Sequence, residues 1–218
     1  MDQATLATHA VRPWLAHYPD GVPHDIDPSQ YRSLAALIEE SLRKNAQRPL
    51  SVCMEQWMSY GELDEHSSAL GAWLQARGMP ADARVAIMLP NIPQFMVAMT
   101  AVIRAGYTVV NVNPLYTARE LEHQLKDSGA EAIVILENFA ATLEEVIVHT
   151  KVRHVVVASM GDMLGFWYGR WITFAVRHLA KLVPPFRLPL SGALGPRTVI
   201  NFRQALAEGA SRPLRPSA

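Results

Sequence analysis

Asp64, Glu65 and His66 stand consecutively, so this sequence first invites a search for acid–base chemistry. General acid–base work needs two side chains on one face. Adjacent positions on a helix diverge by about 100°, so the trio is expected to be a solvated face. Glu120, Glu122 and Asp127 are expected as helix-start charge and exposed face. The eight histidines are scattered, with no H-x-x-x-H or H-E-x-x-H pair, and no metal ligand set is assigned. Cys53 is the single cysteine, which rules out an internal disulfide and points to a reducing compartment. Within the apolar run "LSVCM" it is expected in the core rather than as a nucleophile.

Phosphate chemistry leaves more recognisable marks. Neither G-x-x-x-x-G-K-[ST] nor G-x-G-x-x-G occurs. The nearest glycine-bearing loop, "SGALGP" (191–196), lacks both lysine and threonine. Two turns have the composition of ligand-site walls: "LPN" (Leu89–Asn91) and "NVNPLYT" (Asn111–Thr117). Proline sets the backbone direction there and asparagine can bond neighbouring amides, so both should be rigid. The same residues also end strands and cap helices, and the turns are compatible with either role.

These residues have to be placed by a repeating scaffold. A helix over 33–45 carries Leu34, Leu37, Ile38 and Leu42 on one stripe, and a short strand follows near 50–54. Ser59 and Glu62 have capping-box spacing and open a helix with the stripe Leu63, Leu70, Trp73 and Leu74; Gly78 stops it. Apolar strands then start at 84, 108, 132 and 154, each separated from the next by a helix. Thr117 and Glu120 form a second capping box, and Gly106 and Gly129 close helices. Such spacing requires parallel crossovers, and strands apolar throughout are covered on both faces. The fold class is therefore α/β, a layered parallel sheet with helices on both faces. No further strong strand is expected beyond residue 160, and one short helical segment is expected near 201–208. The expected organisation is an extended arm over 1–30, an α/β lobe over 31–160, and a basic helix with a proline-rich, loosely placed tail over 161–218.

Composition narrows the partners. Half the residues are hydrophobic and twenty basic residues balance twenty acidic ones, so disorder and nucleic-acid binding are both disfavoured. The charge is uneven, however. No acid lies between Asp162 and Glu208, whereas Arg170, Arg177, Lys181, Arg187, Arg197 and Arg203 fall in that stretch. The segment "MLGFWYGRWITFAVRHLAKLV" (163–183) places Arg170, Thr173, Arg177 and Lys181 on one stripe. Trp167, Tyr168, Trp171, Ile172, Phe174, Val176, Leu179 and Leu182 cover much of the rest. A basic, aromatic-rich amphipathic helix can lie in a lipid interface, and three basic residues add about 3 kcal/mol near an anionic leaflet. Its membrane-contact candidates are Trp167, Arg170, Trp171, Arg177 and Lys181. Docking on protein with the basic residues exposed is the other reading. The N-terminus has no signal-peptide pattern and no segment is apolar enough to span a bilayer, so a cytoplasmic chain, at most peripheral on the inner face of the membrane, is expected.

The runs "MSYGELDEHSSALGAWLQARGMPADARVAIMLPN" (58–91) and "AGYTVVNVNPLYTARELEHQLKDSGAEAIVI" (105–135) resemble the adenylate-forming acyl-CoA synthetase family in order and spacing. "WLAHYPDGVPHDIDPSQYRSL" and "NFAATLEEVIVHTKVRHVVVASMGDMLG" are similar to its bacterial long-chain fatty acid–CoA ligase branch. The resemblance runs from about Trp14 to Leu206. It implies the first lobe of the synthetase N-terminal domain, incomplete, and a two-step reaction. ATP and a fatty acid give an acyl-adenylate with magnesium shielding the phosphates, and coenzyme A then displaces AMP. The family grips triphosphate with a Ser/Thr/Gly-rich loop ending in lysine, which this sequence lacks. The resemblance therefore carries over no catalytic, cofactor-binding or metal residue. It implies a chain inactive alone that binds none of these cofactors tightly, with homodimerisation left open. The alternative is a non-catalytic, membrane-associated or partner-binding module derived from the same family.

Overall fold

The computed structural model describes residues 12–192 and 195–216. Residues 1–11 of the expected arm, and Ala193 and Leu194 of the glycine-bearing loop, lie outside the described residues. The chain divides into two compact units, Met1–Arg32 and Ser33–Ala218. Within the first, a 3₁₀ turn spans Pro13–His17, and Arg12 Nη1 pairs with Asp25 Oδ1 at 2.6 Å.

The second unit begins with α1 (Leu34–Lys44), capped by Ser33, whose hydroxyl accepts from the Ala36 N–H at 3.1 Å. Ala35 and Leu42 are its buried residues; Leu34, expected on the core stripe, is exposed, and its neighbour Ala35 takes the inward position in the first turn. Next, β1 (Pro49–Cys53) pairs antiparallel with β2 (Gln56–Ser59), a strand that pattern reading misses. The turn between them is Met54–Glu55, and both residues have positive φ, 48° and 64°. That is the torsional signature of a type I′ hairpin, but without the Asn-Gly that announces one. Cys53 lies in this outlying ribbon, half-buried, so its assignment to the core is corrected.

Both capping boxes form as their spacing predicts. Ser59 opens α2 (Tyr60–Gln75) and Thr117 opens α4 (Ala118–Ser128), each exchanging bonds with the glutamate three residues on. Between them lie β3 (Arg84–Met88), α3 (Pro93–Arg104) and β4 (Thr108–Asn111). Then come β5 (Ala132–Leu136), α5 (Ala140–Val146) between short 3₁₀ turns, and β6 (His154–Ala158). The later elements are α6 (Phe166–Phe174), a two-residue pairing of β7 (Ser191–Gly192) with β8 (Gly195–Pro196), β9 (Thr198–Asn201) and α7 (Phe202–Ala210).

The main sheet is all parallel in the order β4-β3-β5-β6-β9. Side chains alternate across it. Val85 and Ile87 face Leu70, Trp73, Leu74, Val97 and Phe202 of α2, α3 and α7. Ala86 and Met88 face Leu121, Leu125, Leu143 and Val146 of α4 and α5. Helices thus cover both faces, while the edge strand β4 stays partly exposed.

The fifth strand corrects the expectation that no strong strand follows residue 160, and the tail after 184 is anchored rather than loose. Arg197, 8% exposed, does the anchoring: Nε donates to Val152 O, Nη2 to Ile147 O and Nη1 to Ser191 O. Phe202 and Ala205 are wholly buried, and Trp73 Nε1 donates to Glu208 Oε2 at 3.0 Å. Beyond α7, Gln75 exchanges two bonds with the Arg215 backbone.

Candidate functional site

The strand order reverses at β3, with β4 on one side and β5 on the other, which makes the carboxyl ends of the strands the place for a ligand. The two turns singled out by sequence lie there, after β3 and β4. Asn113 behaves as expected: its Oδ1 accepts from Leu115 N at 3.0 Å, and its carbonyl from Tyr116 N. Leu115 projects at 83% exposure, and Tyr116 and Thr117 border an open surface cavity with Arg119, Glu120, His123 and Asp127 of α4.

Another polar cluster sits beyond β5, β6 and β9. Ser159 follows β6 and is its hub. Its carbonyl accepts from the buried Gln94 Nε2 at 2.8 Å, its N–H donates to Asp162 Oδ2 at 2.7 Å, and its hydroxyl accepts from Arg177 Nη2 at 3.2 Å. Arg177 Nε also donates to Glu137 Oε2 at 2.7 Å; that carboxylate follows β5 and is 2% exposed. Two adjoining cavities of about 430 and 390 Å³ share Asp162 and Arg203. The first lies towards α2 and α7, the second under α6.

A glycine crossing explains how α6 reaches the hub. A Cβ on Gly161 would lie 1.9 Å from the Gly169 carbonyl oxygen, and one on Gly169 would lie 2.1 Å from that of Gly161. The loop and helix backbones therefore touch. Gly169, Thr173 and Arg177 recur every fourth residue, so this contact turns their stripe inward. The opposite face is turned out, with Trp167 81% and Trp171 56% exposed. Trp167 and Trp171 thus face outward, while Arg170, Arg177 and Lys181 are exposed as well. The wheel is also cut short: Ala180 N donates to Ala175 O in a π turn, and Lys181 adopts φ 52°. All five candidates are exposed, and Arg170 and Arg177 also line the second cavity.

Sequence reasoning missed Ser159, Asp162 and Glu137 and named Arg203 only within the basic stretch. Their signal was position: each directly follows or closely trails a strand end. Asp64, read as solvated, keeps 47% side-chain exposure and also pairs with Arg104 Nη2 at 2.7 Å, while Glu65 and His66 line the first cavity.

Burial pushes the Asp162 carboxyl up to about 6, against the Ser159 N–H and the attraction of Arg203 and Arg177. At the opposite end of the sheet, burial lowers His154 to about 4, helped by Arg153 and Arg77. Neither of its ring nitrogens has a partner among the described residues. Between about pH 4 and 6 the folded chain holds a proton on Asp162 that the unfolded chain has released, so this group lowers stability as pH rises. His154 acts oppositely. Below about 6.5 the unfolded imidazole is protonated and the folded one is not, so stability falls as pH drops towards 4. The two slopes oppose each other. Asp162→Asn is expected to gain about 2 kcal/mol at pH 7 and nothing at pH 4. His154→Leu should gain a similar amount near pH 4.5 only. Urea midpoints at the two pH values check this, and parallel shifts at both would refute it.

Comparison with known proteins identifies the class. The adenylation domain of a Mycobacterium chelonae carboxylate reductase superposes with a TM-score of 0.64 at 17% identity, covering 88% of this chain and 31% of that one. A long-chain-fatty-acid-CoA ligase from Archaeoglobus fulgidus superposes with a TM-score of 0.55 at 24% identity, covering 72% and 32%. The five-stranded parallel sheet with its helix layers is thus the N-terminal portion of an adenylation-type α/β fold. A family model described as AMP-binding enzyme matches residues 38–168, and the chain belongs to that family. Within it the chain is homologous to bacterial long-chain-fatty-acid–CoA ligases. The protein of that name in Escherichia coli O157:H7 is 46% identical over 197 residues, 90% of this chain and 34% of the relative. That of Haemophilus influenzae is 40% identical over 200 residues, 91% of this chain and 34% of the relative. The chain spans about a third of the length of the curated relatives it matches.

The glycine-bearing β7–β8 ribbon does not fit the role of a triphosphate loop. Gly192 is packed on the Arg197 guanidinium, 2.3 Å from where its Cβ would stand, so the β7–β8 ribbon serves as a clamp and not as a phosphate cradle. Among the described residues no group of three or more His, Cys, Asp or Glu side chains could hold a metal ion, and no helix is long and apolar enough to cross a membrane.

Proposed function

We propose that this chain is the N-terminal portion of an AMP-forming long-chain fatty acid–CoA ligase and is inactive by itself. The whole enzyme would convert ATP, a fatty acid and coenzyme A to acyl-CoA, AMP and pyrophosphate through an acyl-adenylate. The 46% identity over 197 residues to proteins of that name carries the reading. In it, this chain supplies the sheet and the polar hub beyond β6, and the groups that hold ATP, magnesium and coenzyme A come from elsewhere. Palmitate-driven ATP–pyrophosphate exchange should be absent from the 218-residue chain, and its presence would refute inactivity. A chimera in which this chain replaces the matched 197 residues of the Escherichia coli relative should retain palmitate-dependent acyl-CoA synthesis. A folded but inert chimera would sink the ligase reading.

A second reading, a membrane-associated module on the cytoplasmic face, draws on one observation: Phe166, Trp167, Trp171 and Phe174 of α6 are all exposed. Burying each indole in an interface is worth about 1.5–3 kcal/mol. Trp167→Ala combined with Trp171→Ala is therefore expected to cut flotation with anionic liposomes at least about tenfold. Unchanged flotation would discard this reading.

A further inference from the structure

The cavity under α6 has a chemistry that neither the family membership nor the exposed aromatic residues explain. Its wall carries three arginines, Arg170, Arg177 and Arg203, with His178 beside them and a single carboxylate, Asp162. The other nearby acid, Glu137, does not line the cavity; it lies behind Arg177 and is nearly inaccessible. That pairing fixes the guanidinium in place. Glu137 and the Ser159 hydroxyl occupy Nε and Nη2, leaving Nη1 for an incoming acceptor. Thr173, from the stripe that the glycine crossing turns inward, adds a hydroxyl.

A planar guanidinium matches two oxygens of a phosphate, and several converging on one cavity favour an anion of more than one charge. At about 390 Å³ the cavity is near the small end of ligand sites, so it suits a compact head group. It also lies at the carboxyl ends of β6 and β9, where open parallel sheets take ligands. We propose that this cavity binds a phosphomonoester dianion, carried either by a free small molecule or by a lipid headgroup. The site is independent of the ligase reading, because it uses only side chains present in this chain.

The full chain is titrated with inorganic phosphate and with glycerol 3-phosphate by calorimetry. Saturable binding is expected, weakened at least tenfold by Arg170→Gln with Arg203→Gln and unchanged by Lys181→Gln. Arg170 and Arg203 are exposed, so the double variant should melt as the parent does. Should it fail to fold, the arginine Nε–H resonances of the parent give a second measurement, and phosphate should shift those of Arg170, Arg177 and Arg203. Vesicles identify the source. Preference for phosphatidic acid over phosphatidylglycerol, competed by phosphate, marks a lipid headgroup. Equal binding to both, with phosphate affinity intact, marks a free ligand. Absence of saturable phosphate binding, or binding indifferent to the double variant, overturns the proposal.

Discussion

Gly209→Ala is expected to cost about 3 kcal/mol and to loosen α7 from α2, although it adds one methyl group. A Cβ at Gly209 would stand 1.9 Å from the Ala69 carbonyl oxygen and 2.7 Å from its carbon. Both obstacles are helix backbone, which cannot swing aside as a side chain does. Relief requires α7 to move outward, and that exposes Phe202 and Ala205 and stretches the Trp73–Glu208 bond. Gly78→Ala is the control. Nothing lies within 4 Å of a Cβ there, but φ is 67°, so only the left-handed backbone is penalised, by about 1 kcal/mol. Urea unfolding of the two variants tests this. Equal losses would mean that the helix contact is softer than its geometry states.

The cluster around Arg104 should respond asymmetrically. Arg104 is 4% exposed; Nε donates to Glu39 Oε1 at 2.7 Å, and Nη1 donates to Ser67 Oγ at 2.7 Å and to Asp64 O at 3.0 Å. The Glu39 and Asp64 side chains keep 36% and 47% exposure. Removing the arginine leaves two carboxylates that water can solvate. Neutralising both carboxylates instead leaves a cation in the interior without a counter-charge. Glu39→Gln with Asp64→Asn is thus expected to cost about 3 kcal/mol, and Arg104→Met about 1–2 kcal/mol. Thermal melts of the two variants decide it, and the reverse order would show that the arginine is better hydrated than its burial indicates.

The repeating part of the fold was legible because local and global signals agreed. At Ser59 and Thr117 the capping residue, the glutamate three positions on and the apolar stripe all give the same helix. The strands at 84, 108, 132 and 154 are apolar enough to be recognised alone. What was hidden depended on partners distant in sequence. Thr198–Asn201 becomes a strand by pairing with β6 and through Arg197, which bonds three carbonyls. The β1–β2 hairpin was hidden because Met54 and Glu55 hold torsions usually left to Asn and Gly. At the site, the charge imbalance of the later segment was visible. Which face of α6 turns inward was not, because Gly161 and Gly169 decide it and a helical wheel gives glycine no weight.

The clasp between α2 and α7 bears on the timing of biosynthesis. Trp73 and Glu208 are 135 residues apart, so at about 5–20 residues per second α2 waits roughly 7–27 s for its partner to leave the ribosome. During that interval the part of α2 that α7 covers lacks its partner, although Trp73 already has β3 and α3 to pack against. A nascent chain arrested before residue 202 should therefore recruit holdase chaperones, and one extended past 210 should release them.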